Sequence, residues 1–164
     1  MSTPATVALR AANIPFTERS YLHDPAVTDF GREAADALGV EPDRVFKTLL
    51  AEAHGGEADG RLVVGIVPVT GKLDLKALAT AVGGKKATMA DAVVAERRTG
   101  YVVGGISPIG QKTAHPTVLD ETAQLWDTVF VSGGRRGFDL ELTSADLIRA
   151  TSAVVADIAA RAPL

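Results

Sequence analysis

Gly100-Tyr101-Val102-Val103-Gly104-Gly105-Ile106-Ser107-Pro108-Ile109-Gly110-Gln111-Lys112 breaks a run of β-branched residues with four glycines and a proline. Glycine has no Cβ and reaches positive φ cheaply, so paired glycines at the end of a strand leave N–H groups bare and able to point at a ligand oxygen. Pro108 fixes the exit of the loop. The stretch reads either as a bulge or bend closing a curved sheet, or as a place where a ligand approaches the backbone.

Toward the N-terminus of that stretch, Thr3-Pro4 caps a short helix that Asn13 and Pro15 stop. Phe16 to Tyr21 reads as a strand, His23-Asp24-Pro25 as a loop, and Phe30 to Leu38 as a helix capped by Thr28 or Asp29 and ended by Gly39. Val45-Phe46-Lys47-Thr48-Leu49-Leu50 is a largely apolar strand carrying one ammonium. A glycine-rich hairpin loop, residues 55–60, leads to a near-continuous apolar strand from Arg61 to Val69, a pattern expected of a sheet covered on both faces. Helices over Asp74–Val82 and Ala90–Arg98 flank a short strand near Lys86 to Thr88. Toward the C-terminus, strands at Thr117–Leu119 and Thr128–Val131 flank a turn or short helix at Glu121–Leu125. The hairpin Ser132-Gly133-Gly134-Arg135-Arg136-Gly137 then precedes the alternating strand Phe138–Leu142. A helix over Ala145–Ala150 and an Ala/Val-rich helix close the chain. The mixture of helices, hairpins and buried strands predicts one α+β (mixed α/β) domain over residues 1–164.

Composition narrows the chemistry. With no cysteine there can be no disulfide framework, thiolate nucleophile or iron–sulfur cluster. Apolar runs are far shorter than a membrane span and the first residues lack a signal-like pattern, so a soluble cytoplasmic protein without membrane partners is expected. The net charge of −3 is uneven: residues 72–136 carry nine basic and six acidic side chains, whereas residues 1–71 carry six and ten. Lys72, Lys76, Lys85, Lys86, Arg97, Arg98, Lys112, Arg135 and Arg136 therefore read either as solvated helix ends or as a local phosphate-contacting face.

Phosphate-loop, dinucleotide-binding, nucleophile-elbow and zinc-protease patterns are all absent. His23, His54 and His115 fall in predicted loops with no ligand spacing, so neither a metal nor a cofactor is expected. Lys47 is the candidate that stands out. An unpaired buried ammonium costs several kcal/mol, so Lys47 is either functional, or an edge lysine reaching water, or a partner of Asp139 or Asp74. With the glycine-rich stretch it offers one positive charge plus backbone donors, a set that stabilises a tetrahedral oxyanion. No residue offers itself as nucleophile, so water or the substrate must supply it.

Four segments, Val45–Leu50, Pro68–Lys76, Thr99–Pro108 and Val131–Gly137, together resemble the YbaK/EbsC superfamily of prolyl-tRNA synthetase-associated editing domains, above all its YbaK-type Cys-tRNA(Pro) deacylases. Gly104-x-x-x-Pro108 matches the GxxxP motif of that family. The resemblance implies a curved, barrel-like mixed sheet with peripheral helices. It implies a free-standing deacylase that removes cysteine mischarged on proline tRNA, working with prolyl-tRNA synthetase. Within that family the thiol of the bound cysteine is proposed to attack its own ester, a hydrolase-like or lyase-like release that a cysteine-free protein can support. The resemblance assigns catalysis to Lys47, Gly104 and Gly105, and substrate binding to Tyr21, Phe30, Thr48, Ile106, Ser107, Pro108, Ser132, Gly133 and Asp139. Thr48 favours cysteine as substrate, since alanine-editing relatives resemble Lys-Asn there. The alternatives are a water-using deacylase of Ala- or Ser-mischarged tRNA, a non-catalytic module binding aminoacyl-tRNA or the synthetase, and a plain anion-binding domain.

Overall fold

Apolar runs punctuated by glycine turns become strands here, and the computed structural model, which describes residues 1–160, arranges them in three ladders. Thr3 opens α1 (Pro4–Ala11) with a reciprocal capping box to Thr6, satisfying two end donors at once. β1 (Thr17–Ser20) precedes α2 (Phe30–Leu38), which Asp29 caps and left-handed Gly39 ends. β2 (Phe46–His54) pairs antiparallel with β3 (Leu62–Pro68), and the two-residue β4 (Lys72–Leu73) leads into α3 (Leu75–Ala81). β5 (Lys86–Met89) returns along the far half of β2, followed by α4 (Ala92–Thr99) and β6 (Thr117–Asp120). β7 (Val129–Arg135), β8 (Phe138–Leu142), α5 (Ser144–Thr151), β9 (Val154–Ala156) and β10 (Ala159–Ala160) complete the described chain.

The largest sheet has the order β5-β2-β3-β6-β9, with β6 and β9 parallel to their neighbours, and a second sheet has the order β1-β8-β7. β10 pairs with β4. The result is the mixed α+β architecture the pattern predicts. The five-stranded sheet is open, since its edge strands β5 and β9 pair with no further strand among the described residues. A single parallel bridge, Val45 to Phe130, joins the two main sheets, after which β2 and β7 part.

The apolar run of β3 is buried throughout from Val63 to Pro68, as two covered faces require. One face packs under α3 through Val63, Val67, Leu78 and Ala79. The other is covered by the second sheet rather than by helices alone: Phe46, Leu50, Val64 and Ile66 meet Val129, Val131, Phe138 and Leu140.

Three expectations are corrected. Residues 100–112 form no strand; they are a loop whose turn is closed by a bond from the Gly105 N–H to the Val102 carbonyl (2.8 Å). The predicted closing helix is replaced by β9 and β10, and its last residues lie outside those described. β-Branched Val154 and Val155 disfavour a helix, and the buried Asp120 carboxylate draws the chain in by accepting the N–H groups of Ile158 (2.9 Å) and Ala159 (3.0 Å). His54 ends β2 rather than lying in a loop, with Nε2 3.0 Å from the Thr88 hydroxyl.

Candidate active site

Where β2 and β7 part, a cavity of about 360 Å³ opens between them, roofed by α2 and the loop after α4. Its floor follows from strand geometry. Val45 accepts from Val69 and Ala53 donates to Arg61, so odd-numbered residues of β2 bond to β3. Even-numbered residues turn their main-chain groups the other way; Leu50 accepts from Ala90 (3.0 Å), whereas β5 pairing begins only at Ala51. The N–H and C=O of Thr48 thus face the gap with no strand beside them. The Thr48 hydroxyl is itself buried and makes no hydrogen bond among the described residues.

Lys47 lines this cavity, half-buried. Burial lowers its ammonium pKa; the Asp29 carboxylate partly opposes that, and the Lys72 charge adds to it. Neither expected partner is used. Asp74 caps α3 by accepting from the Ala77 N–H (3.0 Å), and no carboxylate forms an ion pair with Lys47 among the described residues. The cavity therefore holds a cation that has lost part of its hydration, with the Asp29 carboxylate nearby but not in direct contact.

Into the same lining β8 brings Asp139, directly across the ladder from Ser132 on β7. Asp139 is only 6% exposed, and burial pushes its carboxyl up to about 7. Ser132 Oγ accepts the Gly134 N–H (3.2 Å) inside the bulge that Gly133 and Gly134 put into β7. Tyr21 closes the same side; burial, then the nearby Asp139 charge, raises its phenol to about 12.

Phe30, at the start of α2, packs on Gly104, where an added Cβ would come within 2.8 Å of the ring, at φ +86°. Only glycine fits that approach. The paired amides expected here separate into two roles. Gly105 spends its N–H on Val102, and a Cβ there would lie 3.0 Å from the Arg135 backbone, so it is a packing glycine against the β7–β8 hairpin. Gly104 and Ile106 line the cavity, and their N–H groups meet no acceptor among the described residues.

Of the twelve residues expected at the site, Tyr21, Phe30, Lys47, Thr48, Gly104, Ile106, Ser132 and Asp139 converge on the cavity, and four do not. Gly105 is the first. Ser107 is fully buried beneath the loop, its hydroxyl accepting the Ile109 N–H (3.2 Å), and Pro108 is buried beside it. Gly133 packs on Phe138, and its carbonyl accepts the Thr3 hydroxyl (2.6 Å). Asp29 is the charged cavity residue the sequence hid: Thr28-Asp29 is legible as a helix cap, and the cap bond is there (3.4 Å to the Arg32 N–H), but nothing in the spelling shows that it faces Lys47.

No group of three or more His, Asp or Glu able to hold a metal occurs among the described residues. His23 instead sits 2.6 Å from Glu33, and His115 sits 2.8 Å from the Gln111 side-chain oxygen. Among the described residues no helix is long and apolar enough to cross a membrane. A half-buried ammonium, a carboxyl titrating near neutrality and unpaired amides around one open-mouthed cavity suit the binding of a small polar acyl group and the stabilisation of charge developing on its carbonyl oxygen.

The family described as "Aminoacyl-tRNA editing domain" matches residues 24–150. The chain is 42% identical over 124 residues to a candidate Cys-tRNA(Pro)/Cys-tRNA(Cys) deacylase, EbsC, of Enterococcus faecalis, an alignment spanning 76% of this chain and 73% of that protein. Among solved structures it is similar to a candidate trans-editing enzyme for prolyl-tRNA synthetase, at 28% identity and TM-score 0.78 over 98% of this chain and 99% of that one. It is also similar to a hypothetical protein at 26% identity and TM-score 0.83, over 96% and 100% of the two chains.

Proposed function

The chain belongs to the aminoacyl-tRNA editing domain family, in its YbaK-type branch, and from that premise we propose that it is a trans-editing deacylase that clears cysteine from mischarged proline tRNA. The observation that carries this reading is the lining of one cavity by an ammonium in no direct ion pair and an amide without an acceptor among the described residues, Lys47 and Gly104.

On this reading the aminoacyl group enters the gap between β2 and β7. Its α-ammonium supplies the counter-charge that buried Asp139 lacks, with Tyr21 and Ser132 beside it and the free main-chain edge at Thr48 below. The ester carbonyl points at the Gly104 and Ile106 amides. Lys47 faces the ester and the terminal ribose-phosphate, where its positive charge offsets the charge that builds on oxygen. The sulfur of the bound cysteine, as thiolate, attacks its own ester carbon: a C–S bond forms, the C–O bond to the ribose breaks, and the ribose oxygen leaves and takes up a proton. Water then opens the released thiolactone. The protein supplies orientation and electrostatics, which suits a chain with no cysteine and no serine–histidine pair.

Lining by Phe30, Phe46, Leu49 and Ile106 favours a small, soft side chain over a charged one. The modest basic balance of residues 72–136 fits weak contact with the acceptor end and a proline-tRNA selectivity borrowed from prolyl-tRNA synthetase. Deacylation of Cys-, Ala- and Ser-charged proline tRNA, with an S-methylcysteinyl control, tests the reading. It requires fast release of cysteine and loss of that release on methylation. Equal release of alanine or serine would instead assign water as nucleophile, and binding without release would assign a non-catalytic module.

A further inference from the structure

Arg136 stands in the turn between β7 and β8, exposed, and in the sequence it belongs with the residues that could meet phosphate. Its guanidinium is otherwise engaged. Nε and Nη2 both donate to the Val103 carbonyl, at 2.9 and 2.7 Å, while the planar group lies 4.7 Å from the centre of the Phe30 ring. The Val103 N–H in turn donates to the Glu96 carboxylate (2.7 Å). The residue just before Gly104 is therefore held at both of its polar groups, and the ring that Arg136 covers is the one against which Gly104 is packed.

The Val103 carbonyl and the Gly104 N–H belong to the same trans peptide plane, so the two point in opposite directions. Holding the oxygen toward exposed Arg136 holds the Gly104 hydrogen on the opposite edge of the peptide, away from Arg136. Donation to a carbonyl oxygen also draws electron density from the amide and strengthens its N–H as a donor. We propose that Arg136 is a positioning residue for deacylation, which aims and polarises the Gly104 amide through its two bonds to the Val103 carbonyl. A guanidinium can place two donors on one oxygen while its carbon sits over an aromatic ring, which lysine's single nitrogen cannot reproduce. The proposal rests on the reading of the Gly104 amide as the donor to the ester oxygen.

Arg136→Met keeps an unbranched stem over Phe30 and removes the guanidinium; Arg136→Lys keeps the charge and a single donor nitrogen. Two readouts on the full chain separate the inference from the function it rests on. In an amide ¹H–¹⁵N spectrum, the Gly104 resonance should move upfield in Arg136→Met and part of the way in Arg136→Lys. In single-turnover cleavage of Cys-tRNA(Pro), Arg136→Met should lower the maximal rate about tenfold, less than the ~10²–10³ that follows outright loss of an oxyanion donor, with half-saturation and melting temperature unchanged and partial recovery in Arg136→Lys. An unmoved Gly104 resonance overturns the inference whatever the activity. A moved resonance with an intact maximal rate removes Arg136 from catalysis, and a weaker, more salt-sensitive half-saturation alone assigns it to phosphate. If the wild-type protein cleaves no mischarged tRNA, the functional reading fails while the resonance still decides whether Arg136 governs the amide.

Discussion

Two ionisable residues carry the site, and each is held away from its comfortable state. Lys47 loses hydration, and the nearby Asp29 carboxylate only partly offsets the loss. Asp139 is buried deeply enough that its carboxyl sits at about 7 instead of its ordinary 3.8. Because the folded form binds the proton more tightly than the unfolded chain, the stability contributed by protonated Asp139 is complete below about pH 4 and is lost as pH rises through 7. Asp139→Asn should therefore unfold at higher denaturant than wild type at pH 8, by on the order of 2–4 kcal/mol, with the gap closing toward pH 4. Urea titrations at the two pH values check this, and a pH-independent difference would contradict it. Lys47 is legible in the sequence because an ammonium among Val45, Phe46, Leu49 and Leu50 violates the pattern of a buried strand. Asp29 is not, because a helix cap and a cavity carboxylate are spelled alike.

Among the elements, those with strong periodicity and explicit caps are readable: α2 from Asp29 to Gly39, α3 behind Asp74, and α5 behind Thr143. The glycine loop is recognisable as special but not as a loop. Tyr101-Val102-Val103 has the composition of a strand, yet Glu96 and Arg136 bind both polar groups of Val103 and leave none for a ladder. The end of the chain misleads for a different reason. Alanines between Ala153 and Ala160 favour a helix locally, but Ile158 is fully buried and its N–H reaches a carboxylate 38 residues earlier, a tertiary tie with no local trace. Asp120 also accepts from the Thr122 N–H (3.2 Å), so one side chain joins the end of β6 to Ile158 and to the start of β10. Asp120→Ala should cost about 3 kcal/mol, since it leaves buried N–H groups without acceptors. A change below about 1 kcal/mol in a denaturation curve would mean that water replaces the carboxylate there.

At the scale of the whole molecule, the site is a fault between two sheets. An isolated bridge from Val45, just before β2, to Phe130 of β7 links the two sheets, the strands then part, and the main-chain edge left over lines the cavity. The positions of β1 to β3 and β5 to β8 along the chain and the mixed class can be derived from the spacing of apolar residues. The parting cannot, because it depends on how two sheets with separate hydrogen-bond ladders twist over a shared core. That is also why eight of the expected site residues meet and four serve the scaffold: motif membership places Gly105, Ser107, Pro108 and Gly133 near the site, and packing decides which atoms face it. The account turns on Lys47 and the Gly104 amide acting on one ester, and single-turnover cleavage of Cys-tRNA(Pro) by wild type and Lys47→Ala tests this most directly. The expected result is a loss of at least about a hundredfold in rate with an unchanged melting temperature. A Lys47→Ala protein that cleaves within tenfold of wild type would contradict it.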